Sequence, residues 1–374
     1  PVIQGMLTYM SDCEAVRRVE IAGSARRRKE TVGDLDVLVS STEPEKVTPH
    51  FVSMPPIERV LAQGPTKSTV VLDSMLQVDL RVIPPGSYGA ALQYFTGSKE
   101  HNVKLRTIGV KAGFKLNEYG LFRRDNDELV AAEDEARIYE ALGMRWIPPE
   151  LRENTGEIEA AIEDRLPDLV TLDDVRGDLH AHTDWSDGHA SIEEMAAKAA
   201  EMGLEYIAVT DHTKALGIAN GLDEERLMEQ MDEVRRVDEK HPEIRVLAGT
   251  ECDIRRDGRL DISDEVLAEL DWVVTAVHSG FKMEEQAMTS RVIEAIRNEH
   301  VDTLAHPTGR LIQRRSPYAL DLDAVFEAAA EHGVMMEINC YPERLDLSDV
   351  NSRRAKEAGV KMTLGTDAHT PSEL

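Results

Sequence analysis

The second half of the chain carries a series of histidines and carboxylates whose types and spacing suit metal-dependent chemistry. In chain order the nine candidates are His180, His182, Asp187, His212, Glu251, His278, His306, Asp367 and His369. All nine are nitrogen or oxygen donors, and nine is too many for one ion. They suggest a cluster of two or three ions that share a carboxylate. Such clusters generate hydroxide at neutral pH and typically hydrolyse phosphate esters.

The spacing within the series supports this interpretation. The first two histidines stand two residues apart, as do the last two candidates, and residues i and i+2 of a strand point to the same side. Asp187 has two competitors in its loop, Asp184 and His189. A lone histidine is more often a hydrogen-bonded structural residue than a ligand, and we expect that role for His50, His241, His300 and His332.

Nearly every candidate lies at the C-terminal end of a predicted strand. Seven short apolar runs are predicted to be strands, at 177–179, 206–209, 244–248, 272–277, 301–305, 334–338 and 360–364. Ala-rich amphipathic helices separate several of them, for example at 191–202 and 323–332. Alternating strands and helices predict a parallel sheet, here closed into a barrel whose C-terminal strand ends carry the chemistry.

A second set of carboxylates lies near the start of the chain. Asp34 and Asp36 alternate on one predicted strand, and Asp79 lies on another. Three carboxylates on one face of a sheet can hold two Mg²⁺ ions for nucleotidyl transfer. Gly23 and Ser24 form a turn that can offer backbone N–H groups and a hydroxyl to a triphosphate. Asp-x-Asp alone is common on solvated strands, whereas this combination is typical of nucleotidyltransferases.

The N-terminal region has a different pattern from the barrel. Period-2 strands are predicted at 19–22, 34–39 and 76–82, followed by a helix at 88–95. This pattern indicates a small mixed sheet with helices on one side. Residues 146–175 contain Pro148-Pro149 and an acidic stretch, and we interpret them as a linker that holds one helix.

Composition limits the possible classes of protein. Hydrophobic residues make up 41% of the 374, no apolar run is long enough to span a membrane, and no signal segment is visible. Three scattered cysteines favour a reducing cytoplasm over a disulfide framework. The net charge of -27 is uneven, because residues 151–374 hold 24 basic and 49 acidic side chains. That part repels polyanions unless bound cations or local arginines offset its charge.

The order His-x-His, Asp-His, Glu, His-Ser, His-Pro and Asp-x-His resembles the PHP (polymerase and histidinol phosphatase) phosphoesterases over residues 176–374. The resemblance implies a distorted seven-stranded barrel with a trinuclear metal cluster. All nine candidates would be its ligands, with Glu251 bridging and Zn²⁺, Mn²⁺ or Fe²⁺ as the ions. Arg310 and Arg344 lie near strand ends, where they would either clamp phosphate or be ordinary surface arginines.

A stretch after the third N-terminal strand resembles the nucleotide-binding segment of family X DNA polymerases. It comprises Tyr94-Phe95-Thr96-Gly97-Ser98 and then Asn102 and Arg106. The resemblance implies that the Tyr-Phe pair packs against the sugar and that Asn102 and Arg106 contact the nascent base pair. Gly23, Ser24 and Arg27 would hold the triphosphate, and the three carboxylates would be catalytic and bind Mg²⁺.

With the PHP region, the whole resembles the bacterial and archaeal family X polymerases over residues 16–374. The expected domains are a nucleotidyltransferase palm (1–84), a thumb and nucleotide-binding region (85–145), the linker (146–175) and the PHP barrel (176–374). The implied enzyme is a cytoplasmic, monomeric DNA repair polymerase with 3′–5′ exonuclease activity. Its partners would be gapped or primer-template DNA and dNTPs, with no membrane association.

Two features depart from the family pattern. Ala25 stands where the family has a bulky residue, and the following run to Lys29 has an additional arginine that would strengthen phosphate binding or crowd the turn. The chain starts with Pro1 and ends shortly after His369. We therefore expect a fragment without the family's N-terminal helical domains and extreme C-terminus.

Two other functions compete with the bifunctional enzyme. In the first, the chain is a PHP phosphatase for a small phosphomonoester, such as histidinol phosphate, with a vestigial N-terminal module. The stretch from Tyr94 to Arg106 argues against it, because a small-molecule phosphatase has no use for such a segment. In the second, the chain is a metal-stabilised DNA-binding scaffold, which the complete ligand set disfavours.

Overall fold

The structure is a computed structural model that describes residues 2–374. It divides into two compact units, Pro1–Leu169 and Val170–Leu374. No helix within residues 2–374 has the length and apolar content that a membrane span requires.

The first unit contains eight strands and seven α-helices. In chain order they are α1 (Val2–Ser11), β1 (Arg18–Ile21), α2 (Gly23–Arg26), β2 (Asp34–Ser40), α3 (Pro44–Val52), β3 (Ile57–Gln63), β4 (Lys67–Leu72), β5 (Gln77–Ile83), α4 (Tyr88–Thr96), α5 (Lys99–Lys111), β6 (Phe114–Asn117), β7 (Gly120–Arg123), β8 (Leu129–Ala131), α6 (Glu135–Ala141) and α7 (Glu157–Ile162). The 3₁₀ turns in this unit are Pro85–Ser87 and Pro149–Leu151.

A five-stranded mixed sheet positions the N-terminal carboxylates. Its strand order is β1-β2-β5-β4-β3, and β2 and β5 run parallel. The apolar side chains of β2 and β5 alternate with polar ones, and Val37, Val78 and Leu80 are fully buried against Phe51 of α3. The opposite face of the same two strands carries the aspartates, and farther along it Leu38 and Ile83 pack against α4. The mixed sheet is therefore confirmed, but helices lie on both of its faces and not on one side, because the strands bury apolar side chains on either face.

A smaller antiparallel sheet, β6-β7-β8, completes the first unit. Its core also takes in residues from 146–175, since Ile147 and Ile158 are fully buried there beside Tyr139 of α6. The fully buried guanidinium of Arg152 donates to Glu135 at 2.7 Å. The first part of the expected linker thus packs within the first unit, while its later part includes a 3₁₀ turn, Leu172–Asp174.

The second unit alternates strands and helices. Its elements are β9 (Gly177–Ala181), α8 (Ile192–Glu201), β10 (Tyr206–Val209), α9 (Glu224–Lys240), β11 (Arg245–Asp253), α10 (Asp264–Leu267), β12 (Trp272–Ala276), α11 (Glu285–Ile296), β13 (Thr303–Leu304), α12 (Leu322–His332), β14 (Met335–Asn339), α13 (Asp349–Glu357) and β15 (Met362–Gly365). A 3₁₀ turn, Gly217–Ala219, follows β10.

The seven strands of this unit form one parallel sheet in sequential order from β9 to β15. A parallel bridge between Ala181 and Ala368 brings the segment after β15 beside the end of β9, so the barrel nearly closes. Strand β12 is buried along its whole length, as expected for a strand with side chains packed on both faces. The predicted barrel is therefore confirmed, and all its strands end on one side.

Candidate functional sites

The structure brings the nine candidate ligands of the second unit together at the C-terminal ends of the barrel strands. His180 lies in β9 and Glu251 in β11, and the others follow strand ends. Those that follow are His182 and Asp187 after β9, His212 after β10, His278 after β12, His306 after β13, and Asp367 and His369 after β15. A parallel barrel places these ends on one face, which is why residues far apart in sequence meet there.

The carboxylate of Glu251 lies at the centre of the group and is only 1% exposed. Its Oε1 atom lies 2.8 Å from Nε2 of His306 and 3.2 Å from Nε2 of His278. Its Oε2 atom lies 2.8 Å from Nδ1 of His212, 3.5 Å from Nε2 of His180 and 3.7 Å from Nε2 of His182. The two oxygens thus face two different sets of imidazoles, as a bridging carboxylate would.

Two aspartates complete the group on either side. Oδ1 of Asp367 lies 3.2 Å from Nε2 of His182, and Oδ1 of Asp187 lies 3.5 Å from Nε2 of His369. Donor atoms of eight of the nine candidates, all except His306, form three sets within which all atoms lie within 4.8 Å of one another. These sets are His182/Asp187/His212/His369, His180/His182/Asp367 and His212/Glu251/His278. Shared members between the sets suit a cluster better than separate ions.

The candidate ligands suit metal ions because several of their buried polar atoms have no hydrogen-bond partner. Buried side-chain atoms without a hydrogen-bond partner include Nε2 of His180, both ring nitrogens of His182, Nδ1 of His212 and Oε2 of Glu251. A buried polar atom without a partner costs roughly 1–3 kcal/mol. Several such atoms pointing at one place indicate that a cation belongs there.

The protonation states of His182 and Glu251 suit metal ligands, whereas for His278 and His369 burial is outweighed by the neighbouring carboxylates, which raise the pKa to about 9, so a bound cation would have to displace a proton there. Burial, helped by the neighbouring His212, lowers the pKa of His182 to about 3, so its ring is neutral at pH 7. Burial opposes ionisation of Glu251, yet His278, His212 and His180 hold its pKa well below the usual value. Neutral imidazole and ionised carboxylate are the forms that bind metals.

A buried carboxylate that sequence reasoning missed orients two of the candidate ligands. Oε1 of Glu337, in β14, lies 2.6 Å from Nδ1 of His180, and its Oε2 accepts a 2.6 Å hydrogen bond from the backbone N–H of His306. The first contact leaves Nε2 of His180 to face Glu251. In sequence the only signal is a glutamate between apolar residues of strand β14.

Two aspartates also support the site: Asp253, which sequence reasoning missed, and Asp211, which the sequence marked only as part of the Asp-His pair. Asp253 lies two residues after Glu251, and its Oδ1 is 3.1 Å from Nδ1 of His278. Asp211, next to His212, accepts hydrogen bonds from Thr183 N and Oγ1 at 2.8 and 2.6 Å. Asp211 thereby shapes the loop that directs Asp187 inward, while Asp184 in that loop is exposed.

Replacing Glu337 by glutamine is expected to weaken metal binding by roughly 10- to 100-fold, the usual effect of losing a carboxylate that orients a histidine ligand. The measurement is titration of the chelator-treated protein with Mn²⁺ or Zn²⁺. Glu327→Gln, at an exposed position on α12, is the matched control and should bind as wild type does. Unchanged affinity in Glu337→Gln would show that Glu337 does not orient a ligand.

The candidate metal site forms the floor of a cleft of about 440 Å³. Arg344 lines this cleft, and its Nε lies 3.2 Å from Oδ2 of Asp367. Arg310 instead donates from Nε to the carbonyl of Arg344 at 2.9 Å. Of the two arginines singled out in the sequence, Arg344 therefore lies in the cleft, and Arg310 supports its loop.

The three N-terminal carboxylates lie side by side on one face of the mixed sheet. Asp36 of β2 is in register with Asp79 of β5, and Asp34 is two residues before Asp36 on the same strand. Oδ2 of Asp79 accepts a 3.1 Å hydrogen bond from Gln77. Burial, reinforced by Asp34 and Asp79, raises the pKa of Asp36 to about 6. Carboxylates that repel each other in this way form a site for divalent cations.

The turn before β2 packs closely against this group. Gly23 has a φ of +60°, and a Cβ atom at this position would overlap Oδ2 of Asp36. Glycine is therefore needed both for the backbone conformation and for the close approach. Ser24 follows Gly23 as the second residue of α2.

The structure places Arg27 at the junction of three segments. Its Nε donates to Oε1 of Glu153 at 2.7 Å, and its Nη1 donates to the carbonyl of Thr96 at 2.5 Å. Arg26 forms two 2.8 Å hydrogen bonds to Glu135. Arg27 thus reaches the end of α4, while the carboxylate of Glu153 occupies one edge of its guanidinium.

The predicted nucleotide-binding segment lies at the junction of α4 and α5. The rings of Tyr94 and Phe95 meet edge to face at 5.2 Å. Asn102 donates to the carbonyl of Tyr94 at 2.7 Å, which fixes the end of α4. Gly97, with a φ of +73°, forms the turn between the helices, and Arg106 is exposed on α5.

Comparison with known proteins gives matches to both parts of the chain. The DNA polymerase beta thumb model matches residues 91–153, and the PHP domain model matches residues 178–340. The DNA polymerase/3′-5′ exonuclease PolX of Bacillus subtilis is 39% identical over 363 residues, which is 96% of this chain. The chain spans 63% of that relative's length.

Shorter relatives match the second unit. A probable phosphatase of Thermoanaerobacter sp. (strain X514) is 33% identical over 210 residues, covering 53% of this chain and 80% of that protein. A solved ternary complex of Leishmania infantum polymerase beta shares 28% identity over 41% of this chain and 73% of that chain, with a TM-score of 0.37. That TM-score is too low to carry an argument.

A polymerase beta-type region followed by a PHP barrel defines a class of proteins that join nucleotidyltransferase and phosphoesterase folds. The chain belongs to the family X DNA polymerases that carry a C-terminal PHP domain. The resemblance seen in the sequence is thereby confirmed.

Proposed function

We propose that the chain is a DNA repair enzyme that combines a metal-dependent 3′–5′ exonuclease in the PHP barrel with a template-directed, gap-filling polymerase in the first unit. The observation that carries this proposal is the convergence of nine nitrogen and oxygen donor residues, with Glu251 at their centre. A complete set of this kind favours hydrolysis over a purely structural scaffold. The name of the Bacillus subtilis relative supports both activities.

For the hydrolytic site, we propose that the nine residues hold a trinuclear cluster of Zn²⁺, Mn²⁺ or Fe²⁺, with Glu251 bridging. Such a cluster supplies a hydroxide nucleophile at neutral pH and polarises the phosphate. Glu337 and Asp253 keep His180 and His278 correctly oriented. Arg344 lies beside Asp367 in the cleft and binds an oxygen of the scissile phosphate.

For the polymerase site, we propose that Asp34, Asp36 and Asp79 hold two Mg²⁺ ions. Gly23, Ser24 and Arg27 bind the incoming triphosphate, which must compete with Glu153 for Arg27. Tyr94, Phe95 and Gly97 contact the sugar, and Asn102 and Arg106 contact the nascent base pair. The proposed regions are the palm (1–84), thumb (85–145), linker (146–175) and PHP domain (176–374).

Gapped or primer-template DNA and dNTPs are the proposed partners, and the protein would act as a monomer. We place it in the cytoplasm, because Cys13, Cys252 and Cys340 are all free.

The experiment that tests the hydrolytic function is degradation of a 5′-labelled single-stranded oligonucleotide by the wild-type chain. We expect a ladder of products shortened from the 3′ end when Mn²⁺ is present and none after chelation. A chromogenic phosphomonoester is the comparison substrate. Turnover of that ester, with an intact oligonucleotide, would contradict the exonuclease.

That contrary result would instead support a phosphatase for a small phosphomonoester. Relatives named probable phosphatases match the second unit and favour this second candidate. It leaves the grouping of Asp34, Asp36 and Asp79 without a role, which is why we rank it second.

A further inference from the structure

The cleft above the candidate metal site has two chemically different sides. Its floor consists of histidines and carboxylates, but Leu216, Leu311 and Tyr341 also line it. These three side chains come from the loops after β10, β13 and β14, and each is partly exposed. A phosphate group gains nothing from contact with apolar side chains. These residues therefore imply that the substrate has an apolar group next to its phosphate.

The wall around Tyr341 is held in place before any substrate binds. The N–H of Tyr341 donates to Oδ1 of Asn339 at 3.1 Å, and its carbonyl accepts a 2.8 Å hydrogen bond from the N–H of Arg344. The loop of Leu311 is joined to it, since Ile312 N donates to the carbonyl of Glu343 at 2.6 Å. An aromatic ring on such a fixed turn loses little entropy on binding.

The same turn carries both the Tyr341 ring and the Arg344 guanidinium. Tyr341 and Arg344 are three residues apart, both line the cleft, and Arg344 contacts Asp367. A nucleotide has a planar base close to an anionic phosphate. Its base can stack on an aromatic ring while its phosphate binds the cation and the metal site.

The negative charge of the protein is a reason for binding a nucleotide through its base. The chain carries a net charge of -27, most of it in the second half, and therefore repels a nucleic acid backbone. Stacking does not depend on charge and tolerates every base. Stacking can therefore bind the end of a nucleic acid strand even where the protein's charge repels the phosphate backbone.

We propose that Tyr341, with Leu216 and Leu311, forms a subsite for the nucleobase of the terminal nucleotide. This subsite makes the cleft select substrates that end in a nucleotide over phosphate esters without a base. The inference rests on the proposed hydrolytic function and adds its specificity-determining residues. In the reaction water adds to phosphorus, the ester oxygen of the preceding nucleotide leaves with a proton, and a nucleoside 5′-monophosphate is released with its base in the subsite.

The test compares two esters that share the p-nitrophenolate leaving group in the Mn²⁺-loaded protein. Thymidine 5′-(p-nitrophenyl phosphate) carries a base, and methyl p-nitrophenyl phosphate does not. We expect Tyr341→Ala to lower kcat/KM for the thymidine ester on the order of tenfold, mainly through KM, with a much smaller effect on the methyl ester. Tyr341→Phe keeps the ring and should keep the wild-type preference.

A binding measurement separates the subsite from catalysis. Thymidine 5′-monophosphate should bind the wild type more tightly than 2-deoxyribose 5-phosphate does, and Tyr341→Ala should remove the difference. Tyr119→Ala, at a side chain 54% exposed in the first unit, is the control and should behave as wild type.

Four results would overturn the subsite. Equal losses on both esters, or the same loss in Tyr341→Phe as in Tyr341→Ala, would show that the ring does not bind a base. A wild type that hydrolyses both esters equally well would leave the hydrolytic function standing and remove its proposed selectivity. A wild type that hydrolyses neither ester and also leaves the oligonucleotide intact would remove the hydrolytic function as well.

Discussion

Glu251→Gln is expected to abolish the exonuclease, with a loss of more than about 100-fold in rate. Both oxygens of Glu251 face imidazole nitrogens, and Oε2 has no hydrogen-bond partner. Glutamine has the same shape but lacks the charge that would bridge cations, and one of its two terminal atoms can only donate. The measurements are metal content per chain and the rate of 3′ shortening of a labelled oligonucleotide.

A matched variant separates this effect from a general loss of charge. Glu269→Gln makes the same change at an exposed position in the second unit and should keep full activity. Primer extension by Glu251→Gln should also match that of wild type, because the first unit has its own carboxylates. Wild-type metal content together with wild-type exonuclease activity in Glu251→Gln would refute the bridging role.

Asp36→Asn is expected to remove nucleotide incorporation, again by more than about 100-fold, because a carboxylate holding a divalent ion contributes several kcal/mol to the transition state. Asp36 lies between Asp34 and Asp79 and cannot be replaced by either. The assay is single-nucleotide extension of a gapped primer-template with Mg²⁺. The exonuclease of this variant should be unaffected.

A control variant and the melting temperature test whether the effect of Asp36→Asn is specific to this site. Asp73→Asn, at an exposed position between β4 and β5, should extend the primer as wild type does. Since the carboxylates repel one another, Asp36→Asn should melt no lower than wild type in metal-free buffer. Extension at the wild-type rate by Asp36→Asn would show that the three carboxylates are not the polymerase site.

The barrel and the grouping of its candidate ligands could be predicted because strand period and ligand position repeat together. His180 and His182 stand two residues apart at the end of one strand, and the later candidates lie in or shortly after strands. A sequence pattern records such regularities well. The role of each residue as a ligand stays a prediction that the metal titrations above can test.

The supporting carboxylates could not be predicted in the same way. Glu337, Asp253 and Asp211 are common residue types whose importance comes from burial and from contacts across strands. Asp211 belongs to the Asp-His pair of the motif, but its hydrogen bonds from Thr183 become visible only in the fold. The ion pair between Arg27 and Glu153 could not be predicted from the sequence either, because it joins segments that are distant in the chain.

The bridge between Ala181 and Ala368 has a consequence for how the protein is made. A ribosome delivers β9 well before β15, and domains generally fold in the order in which they emerge. Among the described elements, β15 comes last, and Asp367 and His369 follow it. A growing chain can therefore complete the fold of its first unit while the hydrolytic centre still lacks two of its donors. The proposed capacity to degrade a strand would mature after the part that is proposed to extend one.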